Sequence, residues 1–372
     1  MTASLFFALG QVCYYLALVV KPSPYRRLWM VPIVLSTAYF YRYAVQYHTP
    51  LEYAYGCGAL GQLFVASSYI LTTDAQQRLF LKDQKEPAWR LSLLERVKWT
   101  IKLTAALRGI GWSHEPTHVL PPPTSTSTTR SEFVVQQIGR LTLDILLYDA
   151  IITYARGNPS FAANGYSIAG DGIVWRVVNV LVLGFGGAIC IGIPYRIFSI
   201  LAVSFAISEP REWPPLFGHV HDAYSLRTFW GRSWHQVLRW PGVSHGRFLA
   251  YELLHLHRKS KVAYLVQLYT TFAITALIHV GGEYTFLGYW SHRHALRFFL
   301  LQPIAITVEE FVIQTGRNLS IQGPWRLLGY LWVLAWLTYT VPGWIEPLLR
   351  GGLADTAPSL GIVSRFLAGI KL

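Results

Sequence analysis

The chain has twelve histidines, and only His279 lies deep in an apolar stretch, TTFAITALIHVGGEY. An ionisable side chain at bilayer depth is costly, so it marks either a functional position or a polar contact with a neighbouring helix. A neutral imidazole offers one nitrogen as a base and the other as a donor, which suits proton transfer near neutral pH. Glu283 and Tyr284 follow within about one helical turn, and either can orient the ring. Gly281 and Gly282 read as a helix end, or as a place where a substrate approaches the backbone. At this level the base and the bonded structural histidine both stay open.

Other charged residues fall in apolar stretches: Arg42, Arg140, Asp144, Asp149, Arg196, Glu309 and Glu310. Arg140 and Asp144 are four apart and are expected to pair along one helix. Glu309 and Glu310 point in different directions, so one of them is a candidate for lining a cavity. The cysteines, Cys13, Cys57 and Cys190, sit in apolar segments without a CxxC, so neither a disulfide framework nor a metal site is expected. There is no GxSxG elbow, P-loop, HExxH or DDxxD-type cluster.

The elements that would carry these residues are membrane helices. Hydrophobic residues make up 52% of the 372 and charged residues only 14%, against about 25% charged in soluble domains. A span needs about 20 mainly apolar residues. Candidates lie near 3–20, 28–46, 53–72, 133–154, 174–207, 262–281, 297–315 and 325–346. The fifth is long, and Pro194 is expected to kink or divide it. The reading is therefore all-α and polytopic, with about 8–9 transmembrane helices. Met1-Thr2-Ala3-Ser4 lacks a basic n-region and a cleavage site, so the first helix reads as retained.

Lys and Arg gather in alternate loops: at 21–27, at 78–108 and at 211–261, while the loops at 47–52 and 155–173 hold only Arg156. This places 73–132 and 208–261 in the cytosol. The net charge of +13 thus lies along one membrane face, a poor fit to nucleic-acid binding and a good one to membrane lipid. The segment 93–107 reads as a basic amphipathic helix on the membrane surface, and 121–129 as a linker. In 225–240, SLRTFWGRSWHQVLRW, helical spacing puts aromatic residues on one face and Arg232, His235, Gln236 and Arg239 on the other. Periodicity alone makes it an interfacial anchor.

Four blocks then resemble one family, the wax-synthase-like branch of the membrane-bound O-acyltransferases, of the fungal natural-product acetyltransferase type. FWGRSWHQ at 229–236 looks like its FWGRRWN or FWGRRWHQ motif. LIHVGGEY at 277–284 resembles its later (S/T)xLxH motif. LRGIGW at 107–112 and FFLLQPIAITVEEFV at 298–312 are similar to further segments, in the same order.

The resemblance implies a helical bundle pierced by a tunnel, with acyl-CoA entering from the cytosol and a lipophilic acceptor from the bilayer. It implies His279 and His235 as the catalytic pair. His235 falls where many relatives carry Asn. Trp230, Arg232, Trp234, Gln236, Arg239 and Glu283 are then substrate- or CoA-binding residues, and no metal is needed. No bound cofactor is implied; acetyl-CoA, or another acyl-CoA, is the co-substrate.

The expected organisation is a single membrane domain, 1–372. It comprises three helices in 1–72, a cytosolic basic loop and linker in 73–132, a catalytic core in 133–346 and a tail in 347–372. The endoplasmic reticulum is the expected location, and a hydroxylated terpenoid or meroterpenoid the expected acceptor. The alternatives are a long-chain acyl-CoA:alcohol acyltransferase, a transporter, and a terpene cyclase using Glu309 or Asp144.

Overall fold

The computed structural model describes residues 2–44, 48–122, 124–125 and 127–370. The end of the second expected span at 45–46, residue 47 of the next loop, Pro123 and Thr126 of the linker, and 371–372 of the tail lie outside them. Among the described residues the chain is helical, with no strand beyond an isolated bridge between Leu81 and Trp112.

The helices are α1 (Thr2–Val19), α2 (Met30–Arg42), α3 (Pro50–Ser67), α4 (Ala75–Arg78) and α5 (Leu93–Ala105). Next come α6 (Arg130–Gly157), α7 (Ile173–Ser204), α8 (Leu226–Thr228) and α9 (Arg239–Arg247). The last four are α10 (Lys261–Leu287), α11 (Ala295–Asn318), α12 (Trp325–Arg350) and α13 (Ile362–Ile370). Every expected span falls on a helix. Among the described residues three helices are long and apolar enough to cross a membrane: α3 with its π-turn extension to Thr72, α7 and α10.

The chain divides into two compact units. The first holds Met1–Tyr47, Leu51–His118 and Gln236–Ile321; the second holds His48–Pro50, Val119–His235 and Gln322–Leu372.

In the first unit α1 packs on α2, with Gly10 against Ser36. A helix end leaves carbonyls without intrahelical partners, and here side chains from later in the sequence supply them. Arg26 Nε donates to Ala17 O (3.1 Å), Arg96 Nε to Val19 O (2.9 Å), and Gln76 Nε2 to Leu18 O and Val20 O. Arg26 also pairs with Asp74 at 3.0 Å. The amphipathic segment is α5, started by a reciprocal Ser92–Glu95 capping box. Its Trp99 and Leu103 are buried with Tyr14, Met30, Ile33, Tyr69 and Trp112.

The LRGIGW block is a turn. Gly109 (φ +68°) and Gly111 (φ +80°) are left-handed, and the His114 ring lies 2.8 Å from where a Cβ on Gly109 would stand. His114 packs on Trp240 with ring centroids 4.2 Å apart. Burial pushes its imidazole down to about 4.

α3 and α10 approach at glycines. A Cβ on Gly56 would lie 2.1 Å from Thr285 Oγ1 and 2.4 Å from Gly281 O. One on Gly281 would meet Tyr41 Oη at 2.3 Å, and one on Gly282 would meet Cys57 Sγ at 2.6 Å. Thr285 Oγ1 donates to Glu52 O (2.7 Å) and Tyr41 Oη to Gly56 O (2.6 Å). Small residues let membrane helices close to backbone contact. Gly281 and Gly282 therefore do not end the helix: α10 continues to Leu287 and is capped by Gly288 at φ +84°. What approaches them is α3.

In the second unit α6 packs on α7. Arg196 Nε donates to Asp144 Oδ2 at 2.5 Å and its Nη1 to Gln137 at 3.3 Å. This corrects the expected Arg140–Asp144 pair. Asp144 takes its partner from the facing helix, whereas Arg140 stays exposed on its own helix surface. Pro194 does not divide α7, which runs unbroken for 32 residues; membrane helices tolerate proline when neighbouring groups satisfy the freed backbone. Asp149 of α6 accepts from Gly361 N and Val363 N, both at 2.9 Å, and from Ser359 Oγ, holding the start of α13.

Two outcomes follow. Gly56→Ala, which forces overlap with Thr285 and Gly281, lowers stability in detergent by about 1–3 kcal/mol, whereas Gly58→Ala, with open space around it, does not lower the melting temperature. Second, an unfolded chain protonates His114 below its ordinary value of 6.5 while the folded chain resists until about 4. Stability therefore falls as pH drops through that window, by about 3 kcal/mol over its full width, and His114→Gln flattens this part of the melting-temperature profile.

Candidate active site

His279 stands on α10 in the first unit. Its Nδ1 lies 2.7 Å from the carbonyl of Thr275, one turn earlier. A carbonyl only accepts, so Nδ1 carries the hydrogen and Nε2 is the basic nitrogen. The structure gives the orienting contact at Nδ1 to Thr275, where Glu283 and Tyr284 were the expected candidates. Phe299 of α11 packs on the ring with centroids 4.3 Å apart at 33°, and Tyr53 of α3 lies at 6.5 Å.

Glu283, the next turn of α10, is fully buried. Its Oε1 accepts from Ala295 N at 2.8 Å, the first residue of α11, and so caps the N-terminus of that helix from outside. Phe299 is one turn further along α11. Glu283 thereby fixes the helix that presses Phe299 onto His279. Its Oε2 is buried without a hydrogen-bond partner. Tyr284 stacks on Trp290 at 4.3 Å. On α11, Glu309 is the buried member of its pair, and Glu310 accepts from Tyr264 Oη at 2.7 Å.

The segment 225–240 is not one helix, a correction to its periodicity. Ser225 caps the single turn α8, a π turn covers Phe229–Ser233, and Trp234 is extended (φ −76°, ψ 153°). Helix resumes only at Arg239. Pro241 accounts for the break: it lacks an N–H, and its ring would clash with the carbonyl of residue 237 in a continuous helix.

The boundary between the two units falls between His235 and Gln236, so the expected site residues divide between them. Trp230, Arg232, Trp234 and His235 belong to the second unit; Gln236, Arg239, His279 and Glu283 belong to the first.

In the second unit the His235 ring meets Phe217 edge-on at 6.0 Å and Trp234 at 5.5 Å, and Trp234 contacts Trp230 and Phe229. Gly218 lets this loop touch the π turn: its N–H donates to Ser233 O at 3.0 Å, and a Cβ would sit 2.2 Å from Arg232 O. The Arg232 side chain is exposed. In the first unit Gln236 is buried and Arg239 Nη1 donates to its Oε1 at 3.2 Å. Burial and then the charge of Arg247 lower the Arg239 guanidinium from its ordinary value.

Thr275 and Phe299 are site residues that composition and spacing did not single out. Thr275 had a signal, since residue i−4 carries the carbonyl within reach of a helical side chain. Phe299 had none, because its contact depends on how α11 returns against α10. Among the described residues no group of three or more His, Cys, Asp or Glu is placed to hold a metal.

Among the described residues the chain is all-helical, three of its helices are able to cross a membrane, and one of these carries His279. Residues 213–301 match the model of the membrane bound O-acyl transferase family. Acetyltransferase ple2 of Rhodocybe pseudopiperita is 32% identical over 359 residues, covering 95% of this chain and 93% of its own length. Acetyltransferase eriL of Hericium erinaceus is 32% identical, covering 93% and 90%. Acetyltransferase ataH of Aspergillus terreus is 30% identical, covering 67% and 88%. No solved structure matches. The chain belongs to the membrane bound O-acyl transferase family. It is a membrane acyltransferase, and it moves an acyl group from a donor to a small-molecule acceptor.

The Glu283 cap yields a prediction. Glu283→Ala costs about 1 kcal/mol of stability and lowers kcat about tenfold, by loosening Phe299 against His279, with KM for the donor unchanged. Glu283→Gln keeps a carbonyl acceptor for Ala295 N and restores most of kcat. A steady-state comparison of the two variants at matched protein levels checks this.

Proposed function

We propose that the chain is an O-acetyltransferase that moves acetyl from acetyl-CoA to a hydroxyl of a lipophilic, terpenoid-like acceptor, with His279 as general base. The observation that carries this reading is the Thr275 contact. With the Nδ1 hydrogen held by that carbonyl, Nε2 is the nitrogen able to take a proton from an alcohol. The oxygen then attacks the thioester carbonyl carbon, the C–S bond breaks, and CoA leaves as the thiol. A thioester needs no further activation, so the remaining work is orientation and exclusion of water, which also prevents hydrolysis. General-base catalysis contributes about 10²–10⁴-fold.

The acetyl group is favoured because the full-length relatives carry the name acetyltransferase. The roles of the other residues rest on the FWGRSWHQ motif, and that of Arg239 on its place three residues beyond it. His235 is a hydrogen-bond donor to the thioester carbonyl or to CoA. Trp230, Trp234, Gln236 and Arg239 bind substrate, and Arg232 is the candidate partner of a CoA phosphate. The wider reading keeps about 8–9 membrane spans, a single membrane domain, and an endoplasmic reticulum location with its basic loops in the cytosol. The terpenoid-like acceptor rests on the motif blocks.

Microsomes carrying the chain, given labelled acetyl-CoA or palmitoyl-CoA with a panel of hydroxylated terpenoids and fatty alcohols, separate the donors and acceptors by product mass. Acetyl esters of terpenoids are expected; wax esters from palmitoyl-CoA alone would replace this reading. His279→Ala is expected to lower transfer at least 100-fold with membrane insertion intact, and full activity in that variant would remove His279 from the mechanism.

A further inference from the structure

A second histidine of the first unit sits in a chemically organised setting. His245 on α9 has Nε2 2.6 Å from Ser67 Oγ and Nδ1 2.6 Å from the Pro241 carbonyl. That carbonyl only accepts, so Nδ1 carries the hydrogen and Nε2 turns its lone pair to Ser67. Ser67 Oγ also lies 3.1 Å from Phe64 O. Its single hydrogen goes to the shorter contact, the imidazole nitrogen. Burial lowers His245 from the ordinary histidine value, with the Pro241 bond opposing; the ring is neutral and able to accept a proton.

Nucleophile, base and orienting acceptor in series are the arrangement that activates a hydroxyl. Here a backbone carbonyl holds the place a carboxylate takes in a Ser-His-Asp triad. The surroundings fix the geometry. Phe64 meets the His245 ring edge-on at 5.9 Å. Gly242 and Gly246 seat α9 against Thr271 and Gln267 of α10. Ser67 ends the regular turns of α3 where the π turn Ser68–Thr72 begins, a feature frequent at functional sites.

We propose that Ser67 and His245 form a second catalytic dyad that accepts an acyl group from a thioester onto the serine. The substrate rests on the thioester-donor reading given above. Ser67 Oγ bonds to the thioester carbonyl carbon as His245 Nε2 takes the hydroxyl proton. The C–S bond then breaks, and His245 returns the proton to the departing thiolate. Acyl-Ser67 and a free thiol result. Water, deprotonated by the same nitrogen, then cleaves the ester to a carboxylic acid and restores Ser67. The dyad is thus a thioesterase centre, distinct from transfer to an alcohol.

The test treats the full-length protein in detergent with a fluorophosphonate and maps the label by peptide mass. Ser67 is expected to be labelled in the wild type and in His279→Ala, with the rate about 100-fold lower in His245→Gln. Ser67→Cys provides a check that depends less on a perfect replacement, because it keeps a nucleophile and shifts reactivity to thiol-directed acylation. Absence of label on Ser67 in folded wild type, or an equal rate in His245→Gln, overturns the dyad. Quenched incubations with acetyl-CoA or palmitoyl-CoA and no alcohol are expected to leave an acyl ester on Ser67. Label without any such ester overturns the thioester as its substrate. Failure of the acetyltransferase reading shows separately, as wax esters formed from palmitoyl-CoA alone in the microsomal assay.

Discussion

The first unit depends on two helices being allowed to touch. Gly56 on α3 and Gly281 on α10 bring backbones to a distance at which no Cβ fits. Thr285 and Tyr41 then satisfy carbonyls across the contact. In lipid the apolar surface of a helix gains little by meeting another apolar surface, so packing and interhelical hydrogen bonds must do the holding. His279 is two residues from Gly281, so the contact that fixes α10 also fixes the imidazole. Tyr53 comes to the ring from the same α3 turn that carries Gly56.

The surroundings of His279 are built in layers along α10. Thr275 sets the tautomer from the turn before His279, and Glu283 caps α11 from the turn after. Phe299, brought in by that cap, covers the ring. Each contribution is worth little by itself. Together they hold one nitrogen in a defined direction in a region where a polar group has few other partners.

How much of this was legible in the sequence depended on range. Every expected span falls on a helix because apolar length is a local property. His279 stood out by its burial in such a stretch, and its family by four ordered blocks. Helical spacing shows the Arg140–Asp144 register but not the facing helix, and Arg196 arrives from α7. The break after Trp234 was readable from Pro241, but the aromatic periodicity of 225–240 outweighed it. Gly281 and Gly282 were recognised as special, and only the fold identified α3 as what they admit. Phe299 and the Ser67–His245 contact join residues distant in sequence, and no local pattern announces them.

The end of α1 has a consequence for biogenesis. Its last carbonyls are bonded by Arg26, Gln76 and Arg96. At translation rates of about 5–20 residues per second, Arg96 emerges on the order of ten seconds after α1 is complete. Until then the first helix has an unfinished end, and those carbonyls must be served by water or by other partners. The N-terminal helix can form first, yet it settles only when the segment carrying α4 and α5 has been made. A truncation before residue 96 would therefore leave a hydrophobic hairpin with open polar ends, a substrate for quality control rather than a folded fragment.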